Sequence, residues 1–285
     1  YDTVKLNYDN HGTWAKMLEI LKFWVSKGVD GFRCDMVELV PAEFFGWAFS
    51  EIKYLYPNTF FIAEVYGKEN YRKYHEVGGF DLLYDKSGFY DTLRSIICDG
   101  ASTRLLRAEW QYLGDLQPRM LNFLENHDEQ RIASDFFAGS GRAGFPALAV
   151  SLLFNKAPFM LYFGQEFGER GMESEGFSGV DGRTSIFDYY NVPSIRRWLL
   201  DRLTVDELVV YKEYARLLKI ATSDAIFAQG ETYDLMYANP DSERFNGNRQ
   251  FAFMRGYEDA CMLVVANFDA GIHISLGKVL EFSDK

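Results

Sequence analysis

Cysteine is scarce in this sequence. Cys34, Cys98 and Cys261 are the only three in 285 residues, widely separated and odd in number. They give neither a zinc-binding spacing nor a disulfide framework. Positive charge is also in short supply: 30 Lys and Arg stand against 41 Asp and Glu, a net charge of −11. A polyanion would be repelled, which excludes nucleic acid as a partner and favours a neutral substrate. No run of about 18 or more apolar residues occurs, so no membrane span is expected. No signal peptide is visible, and the chain opens on Tyr1 rather than Met. A fragment or processed form is expected, and the compartment, cytoplasmic or secreted, stays open.

What is present is a large apolar and aromatic content. Hydrophobic residues make up 48% and charged residues 25%, as in an ordinary soluble protein, with aromatics high at 17%. The length suits one large domain, or one plus a small one. After an extended lead-in over 1–10, Trp14, Met17, Leu18, Leu21 and Val25 recur at helical spacing and predict a helix over 11–27, closed by Gly28. A buried strand is predicted over 29–35, a helix over 42–55 and a second strand over 60–65. A short helix over 68–77 and a third strand over 80–84 follow. Residues 88–114 read as mostly helical, 120–125 as a fourth strand, 143–155 as a helix and 158–163 as a fifth strand. A glycine-rich loop over 167–192 leads to a helix over 194–220.

Continuous apolar strands alternating with amphipathic helices indicate α/β architecture with a parallel sheet covered on both faces. Carboxylates stand at the carboxyl ends of the strands: Asp35, Glu64, Asp128 and Glu166. Functional groups occupy that edge in (β/α)8 barrels and in open α/β sheets. The first strand is followed by no glycine-rich phosphate loop, which disfavours the open sheet. A barrel needs eight strands and five are counted here, so three would lie upstream of Tyr1. From about residue 222 the texture changes to short strands over 225–230, 233–237, 250–255 and 261–267, separated by turns. The predicted organisation is a partial barrel over 1–221 and a small antiparallel β domain over 222–285.

The stretch Gly28-Val29-Asp30-Gly31-Phe32-Arg33-Cys34-Asp35 organises the chemistry. Alternation along a strand sends Arg33 and Asp35 to one side, where a guanidinium keeps a carboxylate ionised and aimed. A structural ion pair is the plainer reading of the same residues. Adjacent parallel strands lie about 4.8 Å apart, so Asp35 and Glu64 at matching heights would be separated by roughly 5–5.5 Å, the spacing of retaining glycosidases. Repulsion from Asp35 would then favour a protonated Glu64, suited to general-acid work. Two solvated strand-end carboxylates fit the spacing equally, and a metal site drawing on Asp35, Glu64 and Glu166 is a further reading. Asn126-His127-Asp128 adds an imidazole able to donate to a hydroxyl and a carboxylate able to stabilise a cationic ring. His11, His75 and His273 read as structural.

Gly31-Phe32-Arg33-Cys34-Asp35, Ala63-Glu64-Val65 and Phe123-Leu124-Glu125-Asn126-His127-Asp128 resemble, in order and spacing, three signature regions of the α-amylase family, glycoside hydrolase family 13. Pro158 through Glu166 looks like the family's eighth-strand region. Val4-Lys5-Leu6-Asn7 looks like the motif closing its inserted domain. The resemblance covers about residues 4–220, and the tail is similar to the family's C-terminal β domain. It implies the strand 4 to strand 8 part of a (β/α)8 TIM barrel, acting with retention on α-1,4-linked glucans. Asp35 would be the nucleophile, Glu64 the acid/base and Asp128 the transition-state stabiliser. Arg33 would support Asp35, His127 would grip the sugar, and Tyr66 would serve the aglycone side. The loop 172–190 would line the groove. No cofactor is required for this chemistry.

Two departures from the family pattern are present. Many members carry Lys-His shortly after the nucleophile, and here Glu38 and Leu39 stand there. The first signature region, with its Asn-His pair, is not in this chain. The family's calcium site draws ligands from that missing part, so calcium is not assigned. Hydrolysis, transfer to another sugar and a non-catalytic glucan-binding or assembly role are the functional readings carried forward.

Overall fold

The computed structural model describes residues 4–172, 180–184 and 192–269. Within these the chain divides into two compact units, Tyr1–Ser87 with Arg119–Leu121, and Gly88–Pro118 with Asn122–Lys285.

The first unit opens with α1 (His11–Val25), whose N-terminus is capped by the Asn10 side chain accepting from Gly12 N at 2.8 Å. Gly28, at φ 91°, takes the left-handed turn that no other residue adopts cheaply. β1 (Gly31–Cys34), α2 (Ala42–Leu55), β2 (Phe60–Ala63), α3 (Tyr71–Glu76) and β3 (Leu82–Tyr84) follow. β1 and β2 run parallel with Cys34 opposite Ala63. A side chain on Gly31 would meet the Phe60 carbonyl at 2.5 Å, so glycine allows this approach.

α2 buries Phe44, Phe45, Ala48, Phe49 and Ile52 along one stripe. Phe49 stacks on Phe61 of β2 at 3.6 Å between ring centres and meets Phe80 edge-on at 4.9 Å. Each of these buried rings contributes on the order of 2–3 kcal/mol of hydrophobic stabilisation. Asp81 ties the strands by accepting from Phe61 N at 2.9 Å and from Lys53 Nζ at 2.7 Å. β1 is half-buried along its length, not buried as the sequence suggested, because among the described residues it pairs on one side only.

β4 (Met120–Phe123) begins in the first unit, where Leu83 pairs with Met120, and ends in the second, where Phe123 pairs with Met160 of β5 (Phe159–Met160). The five strands follow the order β1-β2-β3-β4-β5, all parallel, as successive strands of a (β/α)8 barrel do.

The second unit also contains α4 (Asp91–Cys98), α5 (Leu105–Leu113), α6 (Phe145–Leu153), α7 (Pro193–Leu199) and α8 (Val205–Ser223). The predicted single helix over 194–220 is two helices. Thr204 and Glu207 form a reciprocal capping box that starts α8 afresh, and the T-x-x-E pattern was there to be read. The predicted strand at 225–230 is instead a helical turn, α9 (Ala225–Ala228), because the Asp224 side chain caps Ile226 N at 3.0 Å. β6 (Glu231–Asp234), β7 (Gln250–Tyr257) and β8 (Ala260–Asn267) form an antiparallel three-stranded sheet in the order β6-β7-β8.

Phe154, just past α6, packs against Phe251 and Phe253 of β7 at 4.9 Å each. The fully buried Arg255 guanidinium locks this junction by donating to the carbonyls of Leu153, Asn155, Phe227 and Gly230 at 2.8–3.0 Å. Among the described residues no helix is long and apolar enough to cross a membrane.

Candidate active site

The first unit gathers its carboxylates where β1 and β2 end. The ladder continues past both strands: Glu64 N donates to Cys34 O at 3.0 Å and Val37 N to Glu64 O at 3.2 Å. This register places Asp35 beside Glu64, as the 29-residue spacing suggested. The turn after β1 requires Met36 to adopt a left-handed backbone, φ 43° and ψ 48°. That turn aims the Met36 N–H at Glu64 Oε2, 2.8 Å away.

Arg33 lies between the two carboxylates. Nη1 donates to Asp35 Oδ1, and Nη2 donates to Glu64 Oε1 at 2.7 Å. Its Nε donates to the Tyr84 hydroxyl at 3.3 Å, and its Cζ lies 5.3 Å from the centre of the Tyr84 ring. Burial opposes the Arg33 charge, but the hydrogen bonds to Tyr84 and Asp35 and the Glu64 charge outweigh it, so its pKa is raised. The Tyr66 hydroxyl adds a donor to Glu64 Oε1 at 3.1 Å. The environments differ sharply: the Glu64 side chain is 4% exposed and that of Asp35 69%. An enclosed carboxylate and an open one share a single cation.

The sequence reading gave Arg33 to Asp35 alone, and the structure gives it to both carboxylates. The like-charge repulsion expected between Asp35 and Glu64 therefore meets an intervening guanidinium. Sequence reasoning missed the Met36 amide and Tyr84. Tyr84 was detectable as the last residue of the third strand, whereas nothing in the sequence marks the Met36 backbone.

In the second unit, Asn126-His127-Asp128 follows β4. Asn126 Oδ1 accepts from Asp128 N at 2.8 Å and Glu129 N at 2.9 Å, folding the segment into an Asx turn. His127 Nε2 and Asp128 Oδ2 are 3.0 Å apart. Beneath them lies a fully buried ion pair, Glu125 with Arg131 at 2.7 Å. Arg131 also donates to Phe163 O at 2.8 Å and to Thr184 Oγ1 at 3.1 Å, and Glu125 Oε2 accepts from Ile132 N at 2.6 Å. Burial pushes the Glu125 carboxyl up, while Arg131 and the Ile132 N–H pull it down. Burial likewise raises Glu166, whose Oε2 has no hydrogen-bond partner among the described residues.

His75 Nδ1 lies 2.8 Å from Phe80 O, and the His11 ring packs on Trp14 at 5.0 Å. His273 lies outside the described residues, as does most of the 172–190 loop. Among the described residues no group of three or more His, Cys, Asp or Glu is placed to hold a metal ion.

Carboxylates bridged by an arginine at the carboxyl ends of parallel β/α strands stand at the edge where barrel folds carry their functional groups. Comparison with known proteins narrows this reading. Residues 2–76 match the family described as alpha amylase, catalytic domain. The chain is 27% identical over 247 residues to "Alpha-amylase 3" of Dictyoglomus thermophilum, covering 79% of this chain and 49% of that protein. It is 30% identical over 181 residues to the cyclomaltodextrin glucanotransferase of Paenibacillus macerans, covering 58% of this chain and 24% of that protein. Among solved structures, maltogenic alpha-amylase AmyB from Thermotoga neapolitana superposes with a TM-score of 0.66 at 22% identity, covering 94% of this chain and 55% of that one. These matches support assignment of the chain to the α-amylase family, glycoside hydrolase family 13. The chain spans about half the length, or less, of these relatives.

Proposed function

We propose that this chain carries the nucleophile and the acid/base of a retaining glycoside hydrolase acting on α-1,4-linked glucans. The observation that supports this reading is the carboxylate pair bridged by Arg33, one member enclosed and the other open. Glu64 protonates the departing glycosidic oxygen while Asp35 attacks the anomeric carbon, and Arg33 holds Asp35 ionised as it does so. When Glu64 carries its proton, the Tyr66 hydroxyl is able to turn from donor to acceptor and keep the contact. Water then resolves the glycosyl-enzyme with Glu64 acting as base. Asp128 stabilises the oxocarbenium-like ring, and His127 and Tyr66 hold the sugar. These three roles rest on the motif resemblance.

Transfer to another sugar is the second reading. It is favoured by Glu38 and Leu39 standing where many members carry Lys-His, and by the glucanotransferase among the relatives. Incubation with maltoheptaose, with the anomer of each new reducing end followed by NMR, tests both. New α-anomer from the parent chain and none from Glu64→Gln is the expected result. Longer products in place of new reducing ends identify transfer. Initial β-anomer, or undiminished turnover by Glu64→Gln, overturns the assignment.

A further inference from the structure

Glu38 stands on the turn after β1, in the short 3-10 segment Val37–Leu39, and its carboxylate reaches across to the turn after β2. Oε2 accepts from Tyr66 N at 3.0 Å, while Oε1 accepts from Gly67 N at 3.2 Å and from Asn70 Nδ2 at 2.6 Å. The fit is close on the far side too, since a Cβ on Gly67 would meet Glu38 Oε1 at 2.7 Å. One exposed side chain thus pins three groups of the segment 66–70.

That segment holds the Tyr66 hydroxyl against Glu64 Oε1, and the turn carrying Glu38 holds the Met36 amide against Glu64 Oε2. Two of the three donors that fix the Glu64 carboxylate therefore sit on the two turns that Glu38 ties together. The third, Arg33, lies on β1. A water-exposed carboxylate adds little to global stability, but three convergent donors on two loops give it control of geometry.

We propose that Glu38 is a positioning residue that sets the orientation of Glu64 by clamping the two strand-end turns. This rests on the reading of Glu64 as the acid/base and goes beyond it. Misplacing an acid by a fraction of an ångström costs rate where the leaving group needs a proton and costs little where it does not.

The first readout needs only the folded chain. With ring-labelled tyrosine, the Tyr66 signal, assigned with Tyr66→Phe, is followed by NMR between pH 4 and 8. The charged groups around this ring and its partner carboxylate are Arg33, Asp35 on the same guanidinium, Glu38 and Lys86, the last lying 6.0 Å over the ring. A step that Glu64→Gln abolishes reports the contact of Tyr66 with Glu64. Glu38→Ala, and Gly67→Ala from the other side, are expected to reduce its amplitude by half or more, and Glu38→Gln to keep most of it. A full-sized step in both Glu38→Ala and Gly67→Ala overturns the proposal.

The second readout is turnover. Glu38→Ala is expected to lose about 10- to 100-fold in kcat/KM on maltoheptaose, and less than about threefold in kcat/KM on α-maltosyl fluoride, since this ratio reports the glycosylation step alone and fluoride leaves without a proton. An equal loss on both substrates makes Glu38 merely structural and overturns the proposal. Full activity of Glu64→Gln on maltoheptaose would instead defeat the acid/base reading itself, a result separable from either outcome for Glu38.

Discussion

The guanidinium of Arg33 donates 2.7 Å to the buried carboxylate of Glu64 with one nitrogen and bonds the exposed carboxylate of Asp35 with the other. Removing it as Arg33→Met leaves an enclosed carboxylate without its cation. The expected loss is about 2–4 kcal/mol of stability by urea denaturation. Arg33→Lys recovers only part of this, because a point charge on a flexible stem does not span two carboxylates as a planar fork does. Equal stability of Arg33→Met and the parent would show that the bridge contributes nothing to the fold.

Arg255 in the small sheet is a cation with four carbonyl partners and no exposure. Arg255→Met fills most of the space but leaves those carbonyls unpaired at the junction of α6, α9 and β7. A loss of about 2–4 kcal/mol is expected by urea or thermal unfolding. A change below about 1 kcal/mol would mean that water replaces the guanidinium without cost.

Burial raises Tyr90 and Tyr214, and the nearby charges of Glu129 and Glu125 respectively add to the shift. Both are groups whose folded pKa lies above the unfolded value of about 10. Their contribution is complete below pH 10 and is lost as pH rises beyond it, because only the unfolded chain releases those protons. Each contributes a fall of up to about 1.4 kcal/mol per pH unit. Tyr90→Phe keeps the stack on Phe123 at 5.0 Å and removes one such group. It is expected to be slightly less stable at pH 7 and to fall less steeply between pH 10 and 11. An unchanged alkaline slope would contradict this.

Burial also pushes the Cys34 thiol up to about 12, whereas Cys98 and Cys261 are exposed. At pH 8 only about one Cys34 side chain in 10^4 is a thiolate. Titration with an aromatic disulfide is expected to show a fast phase that Cys34→Ser leaves intact and Cys261→Ser diminishes. Rapid labelling of Cys34 in the folded chain would contradict its placement.

The elements that could be read in advance are those whose signal is local. The helix over 42–55 was bounded by Pro41 before it and Pro57 after it, and its apolar stripe gave the observed α2. Parallel pairing followed from the apolar strands, and the strand ends gave Asp35 beside Glu64. Errors arose where one cap changes the outcome. Thr204 divides a helix, and Asp224 turns the strand-like Ala225-Ile226-Phe227-Ala228 into a helical turn.

The supporting contacts of the site were not legible, since they join residues far apart in sequence. Arg33 reaches Tyr84 across 51 positions, and Glu38 reaches Tyr66 across 28. From sequence, Glu38 registered only as a departure from the family pattern. Its hydrogen bonds turn that departure into a structural role. Met36 was invisible for another reason, because nothing in its side chain announces a left-handed backbone.

The most direct test of the central claim is to trap the covalent intermediate. A 5-fluoro-α-glycosyl fluoride accumulates the glycosyl-enzyme because the fluorine slows both chemical steps while the leaving group needs no proton. Incubation with this chain, proteolysis and mass spectrometry are expected to place one sugar on the Asp35 carboxylate, with no adduct in Asp35→Asn. An adduct on another carboxylate, Glu64 included, would contradict the assignment of nucleophile and acid on which the account rests.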